Sequence, residues 1–577
     1  MVLIQAHSEV EKVKVESRGL YHPVADDLGD LQPCFGKDAT HILKHHGVYQ
    51  QDNRDTRANR KQEGLTPDHR MMVRLKLPGG RVTAEQYLLC DKLADQYGQG
   101  DMRITSRQGL QFHGVHKHDL RPIIHDLNVL ARVTTLGAAG DVVRNVIAPP
   151  VADIDPRYGR GGAALLSLAQ DISRRFSPKT RGYYELWLDD KRACISKDGT
   201  IGFPSGRASA SQEEPLYGSN YLPRKFKIAI ATDFDNPVDV YANDIGLIAV
   251  ADENGFAGFE AVVGGSLGHA HNRPDRVPGL ASHFTFISQE EVIPLLEAII
   301  KVFRDYGNRS DRHHARLRFL INAFGQDVFR DLVEKKAGRP FPPPSMTSVT
   351  GQEHYLGWTK QIQAGLNYVG LWLENGRIRD FDNGPKYKSA LREAVSRFSP
   401  ELRFTPHHNL VLANIADADV DALDALLQGY GIDVRKGASP LRQWEMACPA
   451  LPTCLMALNE SERAMPEIVR QVEKAFGTEV DVMIRMSGCS NSCSRPRMAE
   501  IGIIARNSRE YLVFVGGSRM GTRLNTLLLD DVVDENLSPV LVALITLWLK
   551  ERCSTEYFGD WAYRIGTDAL KRMLLPA

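Results

Sequence analysis

The strongest constraint on this chain is that it repeats itself. Arg103-Ile104-Thr105 through Leu110 is echoed 300 positions later by Arg403-Phe404-Thr405 through Leu410, and Gly80-Arg81 precedes the first as Gly376-Arg377 precedes the second. A second pair follows in the same order. Asp244-Ile245-Gly246-Leu247-Ile248-Ala249 matches Glu500-Ile501-Gly502-Ile503-Ile504-Ala505, and Gly264-Gly265-Ser266 then matches Gly516-Gly517-Ser518. One short match could be chance, but two ordered matches mean two homologous halves, each a small sheet-and-helix unit followed by a larger one. A chain of 577 residues needs several cores in any case. The halves would meet at a pseudo-two-fold interface, a preferred place for a cofactor.

Local patterns fill in this frame. Val73-Arg74-Leu75-Lys76-Leu77 alternates and closes at Pro78-Gly79-Gly80, Thr83 to Tyr97 has helical spacing, and Met102 to Val115 alternates again, giving strand, helix, strand. Arg339-Pro340-Phe341-Pro342-Pro343-Pro344-Ser345 reads as the linker between halves. The first 65 residues are polar and read as an irregular arm that wraps the body or meets a partner. Gly159-Arg160-Gly161-Gly162 lacks a dinucleotide fingerprint and reads as a loop. Lys plus Arg and Asp plus Glu are both 71, so no net field marks nucleic acid or an anionic membrane as partner. Met1 to Val15 resembles neither a signal nor a transit peptide, and the apolar runs Val540 to Ile545 and Leu547 to Leu549 are too short to span a bilayer. A cytoplasmic location is expected.

Four of the eight cysteines cluster: Cys448 and Cys454 in Ala447-Cys448-Pro449-Ala450-Leu451-Pro452-Thr453-Cys454, then Cys489 and Cys493 in Ser487-Gly488-Cys489-Ser490-Asn491-Ser492-Cys493. Four thiolates suit tetrahedral zinc or a cubane iron–sulfur cluster. The first gap is wider than a zinc knuckle, which puts the cluster reading ahead without excluding a zinc-stabilised ligand-binding protein. Gly488, Pro449 and Pro452 make irregular backbone that can aim N–H groups at sulfur. Cys34, Cys90, Cys194 and Cys553 stand singly and read as ordinary buried thiols.

This paired motif closely resembles that of the sirohaem sulfite and nitrite reductases, and the Pro-Ala-Leu-Pro-Thr insert looks like the sulfite reductase branch. Tyr49-Gln50-Gln51-Asp52-Asn53-Arg54-Asp55, Leu222-Pro223-Arg224-Lys225-Phe226-Lys227 and Gly516-Gly517-Ser518-Arg519-Met520-Gly521-Thr522-Arg523 are similar to segments of the haemoprotein (beta) components of that branch. The resemblance implies an α+β fold, internally duplicated, each half a ferredoxin-like unit plus a larger sirohaem- and cluster-binding α+β unit. The boundaries expected are 1–65 for the arm, 66–136 and 137–335 for the first half, and 346–425 and 426–577 for the second, which carries the cluster.

It further implies a [4Fe-4S] cluster on Cys448, Cys454, Cys489 and Cys493, with Cys493 also the axial ligand of the sirohaem iron. Sulfite would be held by Arg74, Arg144, Lys225 and Lys227, and the sirohaem contacted by Arg103, Thr105, Arg107, Gln111, His113, Arg316 and Asn491. Arg316 stands where relatives carry Lys. Independently of family, Arg144 between valines and Lys225 with Lys227 flanking Phe226 are hard to read as simple surface charges. The activity implied is assimilatory reduction of sulfite to sulfide; a sirohaem nitrite reductase is the alternative. No donor site is visible, so a flavoprotein (alpha) subunit carrying FAD and FMN and binding NADPH, or a ferredoxin, is the expected partner.

Overall fold

A computed structural model of the chain describes residues 7–188, 214–253, 255–268 and 275–574, together with a two-stranded hairpin of Cys194–Ile195 and Ile201–Gly202. The side chain of Cys194 lies outside the described residues.

Two five-stranded sheets have the same strand order. The first runs Val48–Asp52, His69–Arg74, Leu110–Val115, Met102–Ile104 and Arg377–Ile378; the second runs Gly357–Lys360, Leu366–Leu371, Leu410–Ala416, Glu401–Phe404 and Arg81–Val82. The last strand of each comes from the other half. Arg377 pairs with Arg103, and Arg403 pairs with Arg81, so the halves exchange edge strands. The turns that deliver these strands explain the repeated Gly-Arg. Gly80 and Gly376 have φ of +76° and +73°, and a Cβ there would lie 2.4 Å from the Phe404 carbonyl oxygen and 2.8 Å from that of Ile104, respectively. Each exchanged arginine is then locked: Arg81 donates twice to Glu401, and Arg377 pairs with Asp101 and Glu462.

The helix Ala84–Tyr97 follows the first exchanged strand and is capped by Thr83 with Gln86, each side chain bonding the other's backbone. The larger units are also duplicates. Ser282–Ile287, Gly255–Val263, Ile245–Asp252 and Ile228–Thr232 form one sheet; Met446–Ala447, Ile484–Ser487, Ile501–Ala505, Glu510–Val515 and Thr526–Val533 form the other. An 18-residue helix follows each, Gln289–Tyr306 and Asp534–Glu551, each with a proline inside. Two shorter helices then meet at Gly325 in one half and at Gly566 in the other, with φ of 81° and 82°. The apolar residues 540–549 thus belong to a packed helix, and no helix among the described residues is long and apolar enough to cross a membrane.

Residues 7–65 are less irregular than their composition implies. They form helices Glu9–Glu16 and Lys37–Leu43 and contribute the edge strand Val48–Asp52. Some of their polar groups pair with the body. Lys14, with no exposed surface, pairs with Glu11 and Asp141 and donates to the Leu222 carbonyl, while Arg312 bridges Asp141 from the far side. Gly159, with φ of 57°, kinks the short 3-10 segment Pro156–Gly161, which leads into the helix Gly162–Arg175 and so is more ordered than the expected loop. The linker is extended and pinned, with Ser345 donating to Glu260 and Phe341 buried.

One buried cation in this region works against folding. Lys76 is 4% exposed, its ammonium donates to Ser177 Oγ at 2.8 Å, and burial pushes it down to about 7. Its ammonium therefore loses a proton on folding between about pH 7 and the unfolded value near 10.5, so stability rises across that interval. Lys76→Met is expected to raise Tm at pH 6, by an amount corresponding to a few kcal/mol at most, and the gain should shrink steadily toward pH 10. Thermal unfolding measured across that range checks the sign.

Candidate active site

The cluster cysteines sit on two loops at the ends of adjacent parallel strands, Met446–Ala447 and Ile484–Ser487. Buried hydroxyls tie the loops together: Ser461 Oγ donates to the Met486 carbonyl and accepts from Cys448 N, and Ser494 N donates to Ser487 Oγ. The thiols feel one another. Burial pushes Cys448 up to about 12 and raises Cys454 and Cys489 as well, and Cys493 adds to all three. Backbone N–H groups oppose this: Gly488 N lies 3.2 Å from Cys448 Sγ, Met456 and Ala457 donate to Cys454, and Asn491 to Cys489. Four neighbouring thiols, Cys448 and Cys489 buried, Cys454 partly buried and Cys493 exposed, with N–H groups aimed at the first three sulfurs, are a donor set suited to a polycationic centre. Among the described residues, no three His, Cys, Asp or Glu side chains are grouped as for a single metal ion.

Of the scattered cysteines, Cys90 is buried and pushed up to about 12, but Cys34 is partly exposed and Cys553 exposed, so the buried reading fits only Cys90 among those described.

Cys493 faces a cleft between the halves. Its walls carry Arg107, Lys225, Lys227 and Arg316 from the first half and Asn491 and Arg495 from the second. The turn after Thr105 reaches across, Thr105 Oγ1 accepting from Gly109 N at 3.0 Å and Ser106 Oγ donating to the Cys493 carbonyl at 3.0 Å. Lys225 and Lys227 flank the buried Phe226, which bridges Val143 beside Arg144. Burial, and then neighbouring cations, hold both lysines well below the usual ammonium range. Arg107 donates to Asn243 Oδ1 and is lowered to about 9, chiefly by burial. Arg144 is anchored to the Gly140 carbonyl. Arg74 lies 5.3 Å from the Tyr49 ring centre, and Gln111, its amide oxygen turned toward Arg74, accepts from Nε and Nη2 at 2.9 and 2.6 Å.

Not every residue anticipated near the cofactor faces the cleft. Arg103 is buried under the cysteine loop, paired with Glu462 at 3.1 Å and donating to the Ala447 carbonyl at 2.7 Å. Arg316 does line the cleft, and there it is held bidentately by Asp244, at 3.0 and 2.7 Å. His113 is 1% exposed with both ring nitrogens unpartnered, and burial keeps it neutral, far below its ordinary value. The cleft cations Arg107, Lys225 and Lys227, with Arg316 alone among these four held bidentately by an acid, fit a polyanionic group bearing many carboxylates. A cavity of about 550 Å³ walled by Trp372, Tyr387 and Arg442 lies elsewhere and contains none of these residues.

Sequence reasoning missed Tyr49 as a site residue. Burial alone would raise its phenol, yet Arg144, Arg74 and Lys44 pull it below the usual range. Its place in the Tyr49-Gln50-Gln51 motif was the available signal.

The fold is shared with a solved structure, the NirA protein of Mycobacterium tuberculosis, at a TM-score of 0.77 and 23% identity over 98% of both chains. The family model for the nitrite/sulfite reductase ferredoxin-like half domain matches residues 63–130 and again 359–430, and that for the nitrite and sulphite reductase 4Fe-4S domain matches 169–341. A "Sulfite reductase [NADPH] hemoprotein beta-component" of Chromohalobacter salexigens is 38% identical over 96% of this chain and 95% of its own. This chain belongs to the nitrite and sulfite reductase family. A "Sulfite reductase [ferredoxin]" of Synechococcus elongatus is 37% identical over 98% of this chain and 91% of its own. As a family member the chain uses sirohaem and a [4Fe-4S] cluster. The 4Fe-4S domain match falls on the first copy, whereas the four clustered cysteines lie in the second, so the duplicated units share a fold and only one copy carries the paired motif.

Proposed function

We propose that the chain reduces sulfite to sulfide, with Cys448, Cys454, Cys489 and Cys493 holding the cluster and Cys493 shared with the sirohaem iron. The observation that carries this reading is the four-thiol pair of loops opening, through Cys493, on a cleft walled by Arg107, Lys225, Lys227 and Arg316. The cofactors, when bound, would relay electrons from the external donor and provide the metal centre. The protein's residues supply charge, position and protons. Arg74 and Arg144 would orient a small dianion through fixed N–H groups, steadied by Gln111 and the Gly140 carbonyl. Lys225 and Lys227 give up a proton far more readily than a free lysine, because burial and like charges penalise the ammonium. That suits them to protonate oxygens leaving as water.

Lys225→Met is expected to lower sulfite turnover by about 10²-fold or more while leaving the visible spectrum of the holoprotein nearly unchanged. Unaltered turnover would remove Lys225 from the chemistry. Iron, acid-labile sulfide and a sirohaem Soret band in anaerobically purified protein test the cofactor assignment; zinc without iron would replace it with a zinc-stabilised protein. The family spans both anions, so kcat/KM for sulfite against nitrite decides the substrate. The two relatives name different donors. We favour a flavoprotein subunit binding NADPH over a ferredoxin, and a cytoplasmic setting; turnover with each donor separates them.

A further inference from the structure

The sheet registers identify which residues of the two halves are equivalent. Lys227 N donates to Asp244 at 2.9 Å and Met483 N to Glu500 at 2.8 Å; Arg316 clasps the first acid and Arg519 the second. Each acid precedes a strand paired in parallel with its neighbour, Ile228 with Ile245 and Ile484 with Ile501. Counting back equally from Asp244 and Glu500 reaches Asp239 and Arg495. Both are left-handed, with φ of 48° and 58°, and both open a short 3-10 turn.

These two equivalent residues meet each other. Arg495 Nε stands 2.8 Å from Asp239 Oδ2, an ionic contact without the alignment of a hydrogen bond, and Arg485 Nη1 donates to the same oxygen at 2.6 Å. Asp239 is 1% exposed, Arg485 0% and Arg495 7%. Arg495 also donates to the Val238 carbonyl of the first half and the Pro406 carbonyl of the second, and it lies two residues beyond Cys493. One carboxylate thus holds two buried guanidiniums, leaving an excess positive charge beneath the loop that carries Cys493.

We propose that Asp239 is a positioning residue that joins the halves across their pseudo-two-fold, fixes the Cys493 loop through Arg495, and sets the positive charge felt by the redox centre there. This rests on the assignment of Cys493 to that centre. Removing the acid's charge makes the surroundings more positive and favours the reduced state; removing one of its arginines does the reverse. Both changes break a buried pair and lower stability, so stability alone does not separate this role from a structural one.

The experiment is redox titration of the holoproteins by absorption and EPR. Asp239→Asn is expected to shift the midpoint potentials upward and to perturb the sirohaem bands, Arg485→Met to shift them downward, and Asp239→Glu, which keeps the charge, to leave them close to those of the unsubstituted protein. Potentials that stay put in both variants, or move in one direction in both, overturn the proposal. If Asp239→Asn fails to fold, the downward shift in Arg485→Met alone decides. Failure of the unsubstituted protein to bind sirohaem and labile sulfide would instead defeat the cofactor assignment.

Discussion

Cys493→Ser is expected to yield a folded protein that has lost sulfite turnover by more than the ~10–100-fold that follows loss of a group merely supporting a metal ligand. The reason is position. Cys493 is the thiol that faces both the other three and the cationic cleft, and it is exposed in the structure, so serine creates no buried defect. The loop keeps its anchors, Ser106 on the Cys493 carbonyl and Arg495 on Asp239. Circular dichroism should be preserved while iron, labile sulfide and the sirohaem spectrum fall together. Retention of a normal visible spectrum would show that Cys493 is not the shared ligand.

Gly80→Ala and Gly376→Ala are expected to be severe in the same way. Each glycine has positive φ, for which a non-glycine residue carries about 1–3 kcal/mol of strain, and each faces a carbonyl of the other half that a methyl would overlap. The neighbour is backbone in a paired strand and cannot swing aside. A combined loss exceeding about 3 kcal/mol, a large share of a domain's margin, should appear as insoluble or markedly less stable protein. Gly64→Ala, with nothing within 4 Å of the added carbon, serves as the control. A mild effect at Gly80 would mean that the exchanged turns are not rigidly held.

These two sites also show what was legible beforehand. The repeated Gly-Arg pairs marked a shared element, and the strand and helix after Met71 were readable from alternation and helical spacing, but the single strand read over Met102 to Val115 is two antiparallel strands, Met102–Ile104 and Leu110–Val115, joined by a turn. Which sheet the two-residue strands would join was not readable, since strands so short carry no periodicity and their partners lie in the opposite half. The cysteine loops were legible because four thiols at such spacings have few other uses. Arg103 shows the limit: motif position put it beside the cofactor, but its guanidinium is spent on Glu462 and the Ala447 carbonyl, a partnership between halves that spacing cannot reveal. The equivalence of Asp239 and Arg495 was hidden for a related reason. Opposite charges look like unrelated residues until strand register aligns them.

The exchange of edge strands bears on how such a molecule could have arisen. A polypeptide ending near the linker would lack Arg377–Ile378 and leave the strand Met102–Ile104 with an unpaired rim, while its own Arg81–Val82 would have no sheet to join. Two copies could cure both defects by lending each other that strand, so the single-unit ancestor is best pictured as an intertwined homodimer. Fusion through Arg339 to Ser345 would turn that encounter into a tether and leave one copy free to keep the thiols.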